Sequence, residues 1–409
     1  MKILVLSQYF WPETFVINDF VKNLKKEGHE VTIATGKPNY PGGKIFDGYS
    51  SGGVMHEKFD QDVDVYRVPL RPRKSGALNL VLNYMSFIFS GLIYFPFLFR
   101  KKKFDLIFVF APSPILQAIP AILLKWLHRA HLSIWVQDLW PESLSATKFV
   151  TNKYILSAVG VVVRIIYYFC DSLLIQSRAF ESSMVKLTDK RKLFYFPNVY
   201  KISETEPSLK SGLSEDLLKI LNENFCFVFA GNLGTAQSLP TILDAAEKIK
   251  DLPNVKVVVV GSGSQSNWLQ SQVTSRALTN VYIAGRYDSN CMPELYALSR
   301  VMLVTLAKDP IFELTVPSKI QSYMSAGKPI LAAIDGEGAR IIQEAGAGYS
   351  VEAENSVGLA ALMRKFVESD ELQLKSMGIN AKEYFLKNFE LSTQIKYFGS
   401  LFAELLKRK

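Results

Sequence analysis

Two passages hold side chains suited to group-transfer chemistry. The first, Trp135-Val136-Gln137-Asp138-Leu139-Trp140-Pro141-Glu142-Ser143, is an apolar run that ends in an acid and a Trp-Pro turn. An Asp at the carboxyl end of a strand is placed to orient a hydroxyl or take its proton. An Asx turn or a helix N-cap accounts for Asp138 equally well. The second passage runs from Glu313 to Pro329 and includes Val316-Pro317-Ser318-Lys319-Ile320-Gln321-Ser322. Here a polar loop enters a helix near Pro317, and Gly327 closes it. A helix start carrying Lys319 suits a diphosphate, because free N–H groups, the helix dipole and the ammonium all favour negative charge.

Weaker signals surround these. Gly261-Ser262-Gly263-Ser264 follows an apolar run but lacks a third glycine, so a tight turn explains it as well as ligand contact does. Residues 7–13, Ser-Gln-Tyr-Phe-Trp-Pro-Glu, lack the G-x-G-x-x-G of a dinucleotide site, which argues against hydride chemistry with NAD. Cys170, Cys226 and Cys291 lie far apart, and His29, His56, His128 and His131 have no partner at metal-ligand spacing. Neither a disulfide framework nor a metal site is expected. Asp62-Val63-Asp64 precedes a strand in an acidic turn, whereas a metal-diphosphate pair follows a strand into a cleft.

The elements that must position these groups read as βαβ units. Strand-like runs at 2–7, 30–35, 64–68, 105–110, 132–137, 172–176 and 193–196 alternate with helix-like stretches. After a Ser, Glu, Lys and Pro-rich segment, the pattern restarts at 226–230, 255–260, 281–284, 301–306, 330–334 and 349–351. The fold expected is α/β: two tandem Rossmann-like, doubly wound parallel-sheet domains, with ligands in a cleft between the carboxyl ends of their strands. The domains are drawn at 1–200 and 225–390, with a linker at 201–224 and a packing helix at 391–409.

The chain has 409 residues, 48% hydrophobic and 21% charged, too apolar for a largely disordered protein. Residues 1–200 hold 25 Lys and Arg against 15 Asp and Glu, and the remainder 22 against 23. The basic half therefore faces something anionic. It lacks interleaved aromatic and basic motifs, so nucleic acid is not the expected partner. Within it, residues 77–99 include 17 hydrophobic side chains of 23 and precede Arg100-Lys101-Lys102-Lys103. That length could span a bilayer, but spanning would split one parallel sheet. One or two helices packed inward or lying in the headgroup region are expected instead, with the tetrad on anionic lipid. The first residues have no signal-peptide pattern, so a cytoplasmic protein is expected.

With these passages together, the chain resembles retaining glycosyltransferases of family 4, of GT-B architecture, and among them the L-fucosamine transferase (WbuB-like) branch of O-antigen and capsule synthesis. The resemblance extends through Gly28-His29-Glu30, Asn39-Tyr40-Pro41-Gly42-Gly43, Gly231-Asn232-Leu233-Gly234-Thr235-Ala236-Gln237, Gly285-Arg286 and Asp335-Gly336-Glu337-Gly338-Ala339-Arg340. It implies a UDP-sugar donor on the second domain and an undecaprenyl-diphosphate-linked acceptor on the first. Transfer with retention is implied, without a metal or other cofactor, at the inner face of the bacterial plasma membrane. By the same resemblance Asp138 and Glu313 are catalytic, Asn232, Gln237, Arg286, Lys319, Gln321 and Ser322 bind the donor, and Glu13, Asn18, Tyr40 and Gln137 bind the acceptor.

Three departures from the family pattern matter. Asn232 and Gln237 stand where relatives carry a basic pair, leaving charge neutralisation to Lys319, its helix start and Arg286. The family's two glutamates, separated by seven residues, become Glu313 and Gln321, or Leu314 and Ser322, so ribose recognition falls to the Gln321 amide or the Ser322 hydroxyl. Gln137 replaces a His associated with the donor's 6-hydroxyl, which suggests a 6-deoxy donor such as UDP-N-acetyl-L-fucosamine. Another UDP-N-acetylhexosamine, or a nucleotide-sugar 2-epimerase on the same architecture, are the alternatives.

Overall fold

The computed structural model describes residues 1–74, 76–146, 150, 152–202 and 212–407. The chain divides into two compact units, residues 1–199 with 391–409, and residues 200–390. The apolar runs form strands as expected: β1 (Lys2–Leu6), β2 (Glu30–Gly36), β3 (Met55–Phe59), β4 (Val63–Val68), β5 (Leu106–Ala111), β6 (His131–Val136), β7 (Ser172–Ile175) and β8 (Leu193–Tyr195) in the first unit. The second unit has β9 (Phe225–Ala230), β10 (Val255–Val260), β11 (Val281–Gly285), β12 (Val301–Thr305), β13 (Ile330–Ala333) and β14 (Gly348–Val351).

The first sheet runs β3-β4-β2-β1-β5-β6-β7-β8 and the second β11-β10-β9-β12-β13-β14. Every pairing is parallel except β3 with β4. In each sheet the strand order reverses beside the first strand, and that switch point opens a crevice at the carboxyl ends. Strand β3 had no readable signal. Its sequence, Met-His-Glu-Lys-Phe, is polar, and it survives as an edge strand on the ladder with β4.

One face of the first sheet is covered by the helices Val16–Lys26 and Leu391–Lys407. Phe398 lies 5.0 Å from Phe108 and 5.3 Å from Phe20 between ring centroids. The C-terminal helix expected at 391–409 therefore completes the core of the first unit, not the second. The right-handed crossovers put helices Ala77–Phe99, Ile119–His128 and Lys153–Phe169 on the other face. Residues 77–99 form one continuous helix, and the strands before and after it share a single sheet, so it lies in the helical layer as expected.

The linker expected at 201–224 is shorter than drawn. The helix Glu215–Glu223 begins on the Ser214 hydroxyl, which accepts from the Leu217 N–H, and buries Leu217 and Leu221 in the second core. Its amphipathic spacing outweighs the polar composition around it. The Ser203-Glu204-Thr205-Glu206-Pro207-Ser208 stretch lies outside the described residues.

Candidate functional site

In the second unit the site is built at the switch point between β9 and β12. These strands pair only at Val301 with Phe227 and Met302 with Val228, then part. The Tyr323 hydroxyl fills the gap. It accepts from the Ala230 N–H and donates to the Ala230 carbonyl, each at 3.0 Å, so the open ladder end is satisfied without a strand. The loop after β9 folds into the same opening, with its Gln237 carbonyl accepting from the Thr305 hydroxyl and its Ala236 carbonyl from the Ala307 N–H at 2.9 Å.

Lys319 enters this crevice from the first turn of helix Ser318–Ser325, whose N-cap is Pro317. Its ammonium donates to Gln237 Oε1 and sits 4.0 Å from the centre of the Phe229 ring. Burial lowers the Lys319 pKa to about 7. No salt bridge to a carboxylate is recorded for it among the described residues. An ammonium in such surroundings is stabilised by an incoming anion.

Beside Lys319 a cavity of about 250 Å³ is lined by Gly231, Asn232, Val260, Gly261, Ser262, Arg286, Tyr287 and Met292. The glycines that end β9 and β10 are required there. A Cβ at Gly261 (φ +144°) would stand 1.8 Å from the Gly231 carbonyl oxygen, and one at Gly231 (φ +145°) 2.5 Å from Lys319 Cε. The tight-turn reading of Gly261-Ser262-Gly263 is therefore right in mechanism, and Gly261 and Ser262 line the cavity as well.

Of the donor-side residues named from sequence, Asn232 and Arg286 meet around this cavity, while Lys319 and Gln237 meet in the adjoining crevice. The Ser322 hydroxyl donates to the Lys319 carbonyl at 3.0 Å within its own helix, and the residue is buried. Gln321 is also buried, and neither residue lines the cavity. Glu313 closes the short helix Pro310–Glu313 on the connection after β12, where its backbone packs so closely on Gly336 that a Cβ there would meet the Glu313 carbonyl oxygen at 2.0 Å.

In the first unit Asp138 follows β6 as expected, and burial raises its carboxyl to about pKa 6. Its charge is felt by Tyr84, a buried side chain of helix Ala77–Phe99 whose own pKa is raised chiefly by burial. Gln137 is buried, and among the described residues its Nε2 has no hydrogen-bond partner. Gln8 donates through Nε2 to Asn83 Oδ1 at 2.8 Å, and its backbone N–H donates to Gln117 Oε1 at 2.7 Å. That network fixes the loop after β1 against the helix.

Two acceptor-side residues hold the loop rather than face a ligand. Glu13 accepts from the backbone N–H groups of Phe10, Asn39 and Tyr40 at 3.1, 2.8 and 2.7 Å, which commits both its oxygens. Burial raises its pKa, against the lowering effect of those three bonds. Asn18 bridges the Trp11 N–H and the Glu13 carbonyl. Glu13 and Asn18 thus tie the loop after β1 together through these bonds. Tyr40 stays at the surface of the cluster, its ring 5.4 Å from Tyr9 and 5.2 Å from Phe15, with the Arg73 guanidinium over it at 5.4 Å. Arg73, Tyr84 and Phe229 lie outside the motifs, and Tyr323 lies inside the 313–329 passage without a signal of its own; all four are brought in by tertiary packing.

Asp64 of the D-x-D sequence is taken up in ion pairs with His56, Lys58 and Lys102. Burial would raise its pKa, but these hydrogen bonds outweigh it and hold the carboxyl well below the usual range. Among the described residues no three His, Cys, Asp or Glu side chains gather into a metal-binding group.

The two parallel sheets, each with its strand order reversing beside its first strand, define an α/β protein of the Rossmann-like class. Residues 215–384, within the second unit, match the family model described as Glycosyl transferases group 1. The chain is 23% identical over 345 residues to "Putative colanic acid biosynthesis glycosyl transferase WcaI" of Escherichia coli (strain K12), covering 80% of this chain and 82% of that one. It is 26% identical over 353 residues to "Probable glycosyltransferase WbjE" of Pseudomonas aeruginosa, covering 84% and 85%. Among solved structures it resembles Anabaena Alr3699/HepE in complex with UDP, with a TM-score of 0.68 and 16% identity over 99% of this chain and 100% of that one. The GT-B fold expected from sequence is the fold observed.

Proposed function

We propose that the protein transfers N-acetyl-L-fucosamine from its UDP donor, with retention, to a sugar carried on undecaprenyl diphosphate in O-antigen or capsule synthesis. The observation that carries the transferase reading is the Lys319 crevice. A buried ammonium is held by a neutral amide and an aromatic face beside a cavity with Asn232 and Arg286, at the switch point of the matched domain. In the reaction the bond from the donor's C1 to the β-phosphate oxygen breaks, and the acceptor oxygen bonds to C1 on the same face. The acceptor hydroxyl's proton leaves with the departing UDP or passes to Asp138. Charge builds on the diphosphate, and Lys319, the N–H groups of its helix start and Arg286 stabilise it without a metal or cofactor.

On the acceptor side, Asp138 orients the attacking hydroxyl, Gln137 offers its free amide N–H, and Tyr40 with Arg73 forms an aromatic and cationic rim suited to a sugar diphosphate. Glu313, on the β12 connection, is assigned to a donor sugar hydroxyl. The 6-deoxy donor is favoured by Gln137, a neutral residue where a 6-hydroxyl ligand would stand. The test is a panel of UDP-sugars against a short-chain polyprenyl-diphosphate-GlcNAc acceptor, read by mass, with the product's anomeric configuration read by NMR. Addition from UDP-N-acetyl-L-fucosamine with the donor's configuration kept is expected. Turnover of UDP-GlcNAc but of no 6-deoxy donor overturns the donor assignment, and turnover of a UDP-sugar with no acceptor present makes the protein an epimerase.

A further inference from the structure

We propose that helices Ala77–Phe99, Ile119–His128 and Lys153–Phe169 together form a face that docks the first unit onto an anionic bilayer, lying in the headgroup plane. Helix Ala77–Phe99 is apolar on all sides, yet it buries one stripe, including Asn83, Tyr84, Phe87, Gly91, Phe95 and Phe99, and leaves the other exposed. A helix apolar all round is ordinarily enclosed. Phe89, Ile93 and Phe97 are 58%, 56% and 69% exposed.

The neighbouring helices continue the face. Gly91 admits Pro120 so closely that a Cβ would stand 2.8 Å from its Cγ, and Trp126 meets Phe169 edge-on with centroids 6.4 Å apart. Trp126 is 64% exposed, and Ile165 and Tyr168 present the same outward stripe on the third helix. Among the described residues, fifteen of the twenty-three exposed large hydrophobic side chains lie on these three helices. Such clustering marks an interaction surface, whereas scattered exposed residues do not.

Charge identifies the occupant. Residues 65–170, which contain the three helices, hold thirteen Lys and Arg against three Asp and Glu, and the rest of residues 1–200 balance at twelve against twelve. Three of these cations, Arg67, Lys102 and Lys125, pair with Glu57, Asp64 and Asp171 just outside that stretch. Arg100, Lys101, Lys103, Arg129 and Arg164 are exposed, and no ion pair is recorded for them among the described residues. Two copies of such a face would repel each other, whereas acidic headgroups complement the cations and acyl chains cover Phe89, Phe97 and Trp126. The inference deepens the reading of a lipid-linked acceptor. One stripe of helix Ala77–Phe99 meets the membrane while the opposite stripe carries Asn83 and Tyr84 to the loop after β1 and to Asp138.

The test is sedimentation of the full chain, without substrate, with phosphatidylcholine vesicles and with phosphatidylcholine–phosphatidylglycerol vesicles. Binding is expected to the anionic vesicles only and to weaken with salt. It should fall at least about tenfold in Phe89→Ser/Phe97→Ser/Trp126→Ser and in Lys101→Glu/Lys103→Glu/Arg129→Glu. Hydrogen exchange on the unaltered protein should show vesicle-dependent protection in the three helices, which keeps the test intact if a variant fails to fold. Absence of vesicle binding, binding to neutral vesicles unaffected by the charge reversals, or a stable dimer in lipid-free solution that the apolar variant dissolves would each overturn the proposal. Because no turnover is measured, a wrong donor assignment leaves this result untouched.

Discussion

Lys319 and Asp138 are both buried ionisable groups, and burial shifts each toward its neutral form. For Lys319 the folded pKa of about 7 lies below the unfolded value, so the unfolded chain binds more protons between about pH 7 and 10 and stability rises with pH across that window. In the proposed function UDP binds the charged form. Above pH 7 its binding should therefore take up close to one proton, measured by calorimetry in buffers of different ionisation enthalpy, and Lys319→Met should abolish both the uptake and most of the affinity. Uptake unchanged in that variant would remove Lys319 from the diphosphate site. Asp138 has the opposite sign. Its folded pKa of about 6 is above the unfolded one, so stability falls as pH rises from about 4 to 6. Asp138→Asn should gain roughly 2–3 kcal/mol at pH 7, little at pH 3, and lose about 10²–10⁴-fold in transfer. A variant that is inactive and also less stable at pH 7 would contradict a burial penalty retained for function.

Among the elements, the junction of β9 and β12 depends on a side chain. The Tyr323 hydroxyl stands in for a strand at Ala230, and Tyr323→Phe leaves a buried N–H and carbonyl without that partner. A loss of about 1–3 kcal/mol is expected in denaturant unfolding, with faster amide exchange at Ala230 and Gly231. Unchanged exchange there would show that the strands close on each other instead. The same junction shows where sequence reading succeeds and stops. Doubly buried strands are continuous apolar runs, so thirteen of the fourteen were located, and the polar edge strand Met55–Phe59 was not. Asp138 and Lys319 end a strand run or open a helix, so local pattern singles them out, whereas Asn232 and Arg286 stand out only through the family resemblance. The backbone partners of Glu13 and Ser322 carry no local signal and appear only in the folded chain. Tyr323 and Arg73 carry no local signal at all, since their partners are 93 and 33 residues away in the chain.

For the molecule as a whole, helix Leu391–Lys407 is the decisive connection. Phe398 and Phe402 are fully buried in the first core among Phe20, Phe108 and His131. Removing residues 391–409 should uncover that face and lower the unfolding temperature of the first unit while the transition of residues 200–390 persists, as followed by exchange in each unit separately. Equal loss in both units would mean that they unfold as one.

The same helix sets a timetable. The first unit is begun by residues 1–199 but finished only by residues 391–407, with the whole second unit translated in between. At roughly 5–20 residues per second, that interval is about 10–40 s, during which the groove for Phe398 and Phe402 stays uncovered next to a growing chain. The unit made first is thus the last to be completed.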